Sequence, residues 1–200
     1  MKTLLHVGCG QKRKDQTTQG FNTSAWNELR IDIDPAVRPD LIGTMTNMHA
    51  VETNSVDAVF SSHNIEHLYP HEVPVALAEF FRVLKPNGFV VMTCPDLQSV
   101  CEMVAQDKLT DAAYTSAAGP IAPLDILYGH RPAMAKGNLY MAHRCGFTQK
   151  VLASTMQSAG FVKTASMRRV APFFELWITA VKNDLEDAKV LELAAEHFPK

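Results

Sequence analysis

Leu4-Leu5-His6-Val7-Gly8-Cys9-Gly10 is a short apolar run that ends abruptly in two glycines. A run of this length reads as a strand. The glycines let the backbone turn sharply and approach a ligand with no Cβ in the way. In a parallel sheet, such a turn lies at the carboxyl end of a strand, where folds of this class bind ligands. Gln11-Lys12-Arg13 follows Gly10, so the third glycine of the dinucleotide pattern G-x-G-x-x-G is absent, which disfavours a nicotinamide or flavin dinucleotide. A second strand, Leu29 to Ile33, places Asp32 22 positions after Gly10. A carboxylate there can accept two hydrogen bonds from ribose hydroxyls.

Outward from these two strands, short apolar runs alternate with turn signals and amphipathic segments, the rhythm of an α/β domain with a mainly parallel sheet. Residues 11–20 are polar and aperiodic, hence loop, and Phe21 to Glu28 is expected to hold a short helix. Leu41-Ile42 suggests a brief third strand and Val56 to Ser61 a fourth. Val73, Leu77, Phe80, Phe81 and Leu84 recur at helical spacing, with Pro74 in the first turn, where its missing N–H costs nothing. Lys85-Pro86-Asn87-Gly88 stops that helix, and Phe89 to Thr93 reads as a strand buried on both faces. Further helices are expected over Pro95–Lys108, Gln149–Ala159 and Asn183–Phe198. Phe161–Val170 and Phe173–Val181 read as an antiparallel strand pair. Residues 109–146, punctuated by proline and glycine, form an irregular segment of the kind that covers binding sites.

Length and composition place this in a single domain spanning 1–200, 46% hydrophobic and 20% charged, with a formal net charge of −2. Nothing in that balance attracts a phosphate backbone, and Lys12-Arg13-Lys14 and Arg168-Arg169 are too short to reverse it, so nucleic acid is not expected as a partner. The four cysteines form no C-x-x-C pair or zinc-like spacing, and no apolar run reaches membrane-spanning length. A reducing cytoplasm, with no membrane association, is the expected setting.

Five segments occur in order: Gly8-Cys9-Gly10, Ile31-Asp32-Ile33-Asp34-Pro35, Val56 to Ser62, Ile65-Glu66-His67-Leu68, and Arg82-Val83-Leu84-Lys85-Pro86-Asn87-Gly88. Together they resemble the class I S-adenosylmethionine-dependent methyltransferases, in particular the small-molecule group with the type 11 domain. The similarity covers residues 3–95, and His143 to Thr148 with Ala159-Gly160-Phe161 look like that family's later segment. The resemblance implies a Rossmann-like three-layer sandwich whose seven-stranded, mainly parallel sheet has its last strand antiparallel. It also implies S-adenosylmethionine as cofactor and a small molecule as methyl acceptor. The bend Gly8-Cys9-Gly10 would border the methionine part of the cofactor, Asp32 would hold the ribose, and Ile33 would lie beside the adenine. Gly43 to Met48 looks like the family's adenine-side loop but lacks its usual acidic residue, so contact there would come from the backbone or from Thr46 and Asn47. Ser61, Ser62 and His63 would face the methionine moiety and the reacting methyl. His6 stands where the family usually has an acidic residue, which leaves a catalytically silent, cofactor-binding regulatory protein as the alternative.

No fixed catalytic residue follows from the sequence, because methyl transfer needs alignment first and a base only when the acceptor must lose a proton. The candidates for that base are His63, His130 and His143. His63, His67 and His71 are four apart, as ligands on one helical face would be. Pro70 interrupts that helix and no fourth ligand is evident, so no metal is expected.

Overall fold

A computed structural model describes residues 1–116 and 118–200. Residue 117, within the expected covering segment, lies outside the described residues. The strands are β1 (Lys2–Val7), β2 (Trp26–Asp32), β3 (Leu41–Ile42), β4 (Val56–Ser62), β5 (Leu84–Pro95), β6 (Tyr114–Ser116), β7 (Gly119–Ile121), β8 (Lys163–Arg169) and β9 (Glu175–Val181). The helices are α1 (Val73–Val83), α2 (Leu97–Val104), α3 (Pro123–Tyr128), α4 (Arg131–Ala135), α5 (Gln149–Ser158) and α6 (Asp187–His197).

Seven strands form one sheet in the order β3-β2-β1-β4-β5-β9-β8, and β6 pairs with β7 in a separate two-stranded sheet. β1 runs parallel to both β2 and β4, with Val7 opposite Ile31 on one side and Ser61 on the other. The chain order reverses direction between β1 and β4. This is the switch point, beyond which folds of this class bind their ligands at the carboxyl ends of the strands. Within this sheet β9 runs against all the other strands, antiparallel to both its neighbours, β5 and β8. This is the sheet the resemblance implied.

Alternation along the central strands builds three layers. Leu5, Val7, Val59, Val90 and Met92 point to the side covered by α1, where Leu77 and Phe80 are fully buried, and by α5. Leu4, Ala58, Phe60, Phe89 and Val91 point to the other side, with Val190 of α6. α1 follows from its periodicity, burying Val73, Ala76, Leu77, Phe80 and Val83 in one stripe. It ends at Val83 because Leu84 is already extended. β5 therefore starts earlier than expected and carries Lys85-Pro86-Asn87-Gly88 within it as a register shift against β4. Thr148 caps α5 through its side chain, and Gly160, at φ +103°, takes the left-handed position after its end.

The short helix expected over Phe21–Glu28 is not formed. Trp26 begins β2, with its first partner at Lys2, and Asn22-Thr23-Ser24, residues that favour turns, lead into it. Between β1 and β2 the described residues hold only a 3-10 turn, Lys14–Gln16. The face a crossover helix would cover is filled instead from the far end of the chain. His197 of α6 packs on Phe21 with ring centroids 4.2 Å apart and planes tilted by 41°, and bonds Thr18 Oγ1 at 2.7 Å.

The covering segment is more ordered than its punctuation suggested. It contains β6, β7, α3, α4 and a 3-10 turn at Leu139–Met141. Ile121 and Ile126 pack with Val100 of α2 and Phe174 in a small core of their own. Asp125 pins it: its carboxylate receives the Arg131 guanidinium at 2.7 and 3.0 Å and the Ala122 N–H at 3.0 Å. That Arg131 hydrogen bond holds the Asp125 pKa down at about 2. No helix among the described residues is long and apolar enough to cross a membrane.

Candidate active site

At the switch point the tips of β1 and β2 are joined directly. The Gly10 N–H donates to Asp32 Oδ2 at 2.8 Å, and the Asp34 N–H donates to Asp32 Oδ1 at 2.9 Å. Each carboxylate oxygen keeps a further lone pair, so Asp32 can still accept from a ligand hydroxyl. Gly8 and Gly10 both have left-handed backbones, φ +63° and +52°. At Gly8 the turn is also sterically closed: a Cβ would lie 2.2 Å from the Asn64 carboxamide. At Gly10 the corresponding position has no atom within 4 Å, leaving space open beside the carboxylate. The Cys9 thiol is buried, and burial raises its pKa to about 11, so that side chain takes no part in the open surface of the bend.

Two residues that the sequence did not single out hold this bend. Asn64 Nδ2 lies 3.0 Å from the Ser62 carbonyl, 3.2 Å from the Val7 carbonyl and 3.2 Å from Ser61 Oγ. It ties the tip of β4 to the tip of β1. Arg30 is fully buried in β2, and its guanidinium donates to the Gly10 and Arg38 carbonyls. A charged residue in the middle of a strand was the available signal for Arg30. Asn64 offered none, because its role depends on the tight turn after β4.

His6 faces the α6 side with its edge toward Phe60 and pairs with Glu28 Oε1 at 2.8 Å. Burial lowers its pKa, against the pull of Glu28. Position 6, where the resemblance led to the expectation of an acidic group, thus holds a histidine leaning on a carboxylate of the neighbouring strand.

Ile33, immediately after β2, is 42% exposed. Beyond β3, residues 43–47 fold back as a tight turn. The Gly43 N–H donates to the Asp32 carbonyl at 3.0 Å, and Thr44 Oγ1 meets Thr46 Oγ1 at 2.9 Å. Asp32, Ile33, Thr46 and Asn47 therefore share the carboxyl edge of β2 and β3. On the other side of the bend, Ser61 is buried, Ser62 Oγ bonds Thr93 Oγ1 at 2.9 Å, and His63 turns away with φ +54°.

His63, His130 and His143, dispersed in sequence, line one cavity of about 260 Å³ together with Glu66, His67 and Tyr114. A second cavity of about 240 Å³ adjoins it, sharing Glu66, His143, Pro95 and Ile126. His63 stands on the wall, with Nε2 3.4 Å from Glu175 Oε2 and Nδ1 3.5 Å from Glu66 Oε1. Desolvation opposes its charge, but the two carboxylates win and raise its pKa to about 9. His71 is not part of this group; its ring stacks on Tyr69. The helical row of three histidines considered from the sequence does not form, because residues 65–67 are a 3-10 turn.

A family model described as a methyltransferase domain matches residues 5–92. No curated protein sequence matches the chain. Among solved structures, a protein from Listeria monocytogenes, provisionally assigned as an S-adenosylmethionine-dependent methyltransferase, is similar at 17% identity and TM-score 0.60, over 92% of this chain and 90% of that one. The 1,6-didemethyltoxoflavin-N1-methyltransferase of Burkholderia thailandensis, solved with its substrate and S-adenosylhomocysteine, is similar at 16% identity and TM-score 0.57, over 92% and 72%. A SAM-dependent methyltransferase from Archaeoglobus fulgidus gives 13% and 0.55, over 90% and 86%. At such identities the likeness is one of fold. Residues 5–92 thus match the methyltransferase domain family, and the sheet that carries them has the fold of S-adenosylmethionine-dependent methyltransferases.

Proposed function

We propose that this protein transfers the methyl group of S-adenosylmethionine to a small molecule held in the cavity of about 260 Å³ beneath residues 109–146. The observation that carries the reading is the Gly10–Asp32 junction at the switch point, with the histidine-lined cavity at the neighbouring tips of β4 and β5. The open space at Gly10, the spare lone pairs of Asp32 and the exposed face of Ile33 fit a nucleoside with an amino-acid tail. Asp32 would hold the ribose, Ile33 with Thr46 and Asn47 the adenine, and the bend at Gly8 to Gly10 with Ser61 and Ser62 the methionine part.

The cofactor, when bound, supplies an activated sulfonium methyl. The chain's own residues position the partner and keep water away, which can contribute on the order of 7–11 kcal/mol to a well-aligned transfer. The cavity lies just below the range of roughly 300–1,000 Å³ usual for drug-sized ligands, which favours a small metabolite over a polymer segment. His63, charged between Glu66 and Glu175, serves as a fixed donor on the cavity wall and not as a base. His67 and His143 each use Nδ1 on a main-chain carbonyl, of Ala142 at 3.0 Å and Ile126 at 2.7 Å. Their Nε2 lone pairs are left free to accept.

Incubation with methyl-labelled S-adenosylmethionine and a panel of small hydroxyl, amine and thiol compounds tests the proposal. Label should appear in at least one compound, and S-adenosylhomocysteine should form in step with it. Tight cofactor binding with no transfer to any acceptor would instead favour a silent regulatory protein. No feature of the site favours that second reading, since Glu28 supports His6.

A further inference from the structure

Glu66 is the least explained side chain in the molecule. It is 1% exposed, and neither carboxylate oxygen has a hydrogen-bond partner among the described residues. Its main-chain carbonyl is well served, by the Arg144 N–H at 2.8 Å and the Cys145 N–H at 3.2 Å, so the residue is held firmly while its carboxylate accepts no hydrogen bond. Buried carboxylates without donors are among the costliest groups in a fold, and they persist where something else answers the charge. His63 answers part of it, but from 3.5 Å and without hydrogen-bond geometry.

The other groups facing Glu66 are ligands by type and by preparation. One donor atom from each of Glu66, His67 and His143 lies within 4.8 Å of the others. Both imidazoles give their Nδ1 proton to a main-chain carbonyl, Ala142 for His67 and Ile126 for His143. That bond fixes the tautomer and leaves Nε2 as the unprotonated nitrogen, which is how metal-ligating histidines are usually oriented. The rings stand edge to face at 4.9 Å, so their nitrogens converge without stacking. A tetrahedral ion with bonds of about 2.0–2.1 Å needs donors about 3.3 Å apart, so a bound ion would draw these three donors closer together.

We propose that Glu66, His67 and His143 bind one divalent transition-metal ion of the Zn²⁺ class, by one carboxylate and two imidazoles. Two nitrogen donors with one oxygen donor suit Zn²⁺, Co²⁺ or Fe²⁺ better than the hard, oxygen-seeking ions. Three protein ligands leave at least one coordination position free, as in catalytic sites. That position faces the cavities that Glu66 and His143 both line. It takes water or, on the reading of the cavity as the acceptor pocket, an oxygen or nitrogen of the acceptor.

The test uses the full chain, stripped with a chelator and free of cofactor. Calorimetry with Zn²⁺ and visible d–d absorption with Co²⁺ should each show one ion per chain. Glu66→Gln and His143→Asn should each weaken binding by at least the roughly 10–100-fold that even outer-sphere losses cause. His71→Ala, which removes the neighbouring histidine outside the cluster, should leave binding unchanged. If Glu66→Gln does not fold, His143→Asn, at a half-buried position, decides the matter. Absence of saturable Zn²⁺ and Co²⁺ binding in the wild type, or binding indifferent to His143→Asn, overturns the proposal. The affinity for S-adenosylhomocysteine, measured on the same samples, reports separately on the Asp32 end of the site.

Discussion

The Gly10 main-chain N–H donates to Asp32 Oδ2 at 2.8 Å, so the glycine bend after the first strand and the carboxylate at the end of the second are one structural unit. A ligand that engages Asp32 also meets the bend, and damage to either is felt by both.

Gly8→Ala should therefore be severe. The new Cβ would overlap the Asn64 carboxamide at 2.2 Å and sit on a backbone at φ +63°, so Asn64 must leave the main chain it ties together. Gly10→Ala carries similar backbone strain at φ +52° but opens onto free space. Thermal melting should place Gly8→Ala clearly below Gly10→Ala in stability, whereas cofactor affinity should fall in both.

The covering segment can be loosened without touching the cofactor end. Asp125→Asn removes the charge that grips Arg131. Limited proteolysis should then cut residues 109–146 faster, and the affinity for S-adenosylhomocysteine should stay near that of the wild type. A large loss of that affinity would mean that the segment also builds the cofactor pocket.

His197 makes stability pH-dependent. Its pKa is pushed down to about 4 by burial and by the nearby Lys2 charge, against 6.5 for a free imidazole. The unfolded chain therefore binds a proton between pH 6.5 and 4 that the folded chain refuses, so stability is full above pH 6.5 and declines as pH falls. The loss reaches about 3 kcal/mol at pH 4. Denaturant titrations at several pH values should show a flatter profile for His197→Gln over that window than for the wild type.

Leu77 of α1 is fully buried against the sheet. Leu77→Ala should cost about 2–5 kcal/mol in chemical unfolding, with the fold retained.

The parts of the fold legible in the sequence were those whose evidence is local. The run from Leu4 to Gly10, Asp32 before Pro35, and the stripe from Val73 to Leu84 each carry their signal within a few residues. α6 in place of a crossover helix was not legible, because His197 meets Thr18 across 179 positions and neither end announces the other. The helix expected at Phe21–Glu28 failed for a related reason: the ladder partner of Trp26 is Lys2, and pairing overrode a weak local pattern. In the site, His63, His130 and His143 could be singled out as chemistry-bearing residues. That His63, His67 and His143 gather around Glu66 could not, because His67 reaches the Ala142 carbonyl only once the covering segment, 75 positions on, folds back over β4.

The central claim is that Asp32 grips the cofactor's sugar, and calorimetry with S-adenosylhomocysteine on the wild type and on Asp32→Ala tests it most directly. The account predicts saturable binding to the wild type, weakened roughly ten- to hundredfold by the substitution, as for the loss of charge-assisted hydrogen bonds. Equal affinity for the two proteins would contradict it.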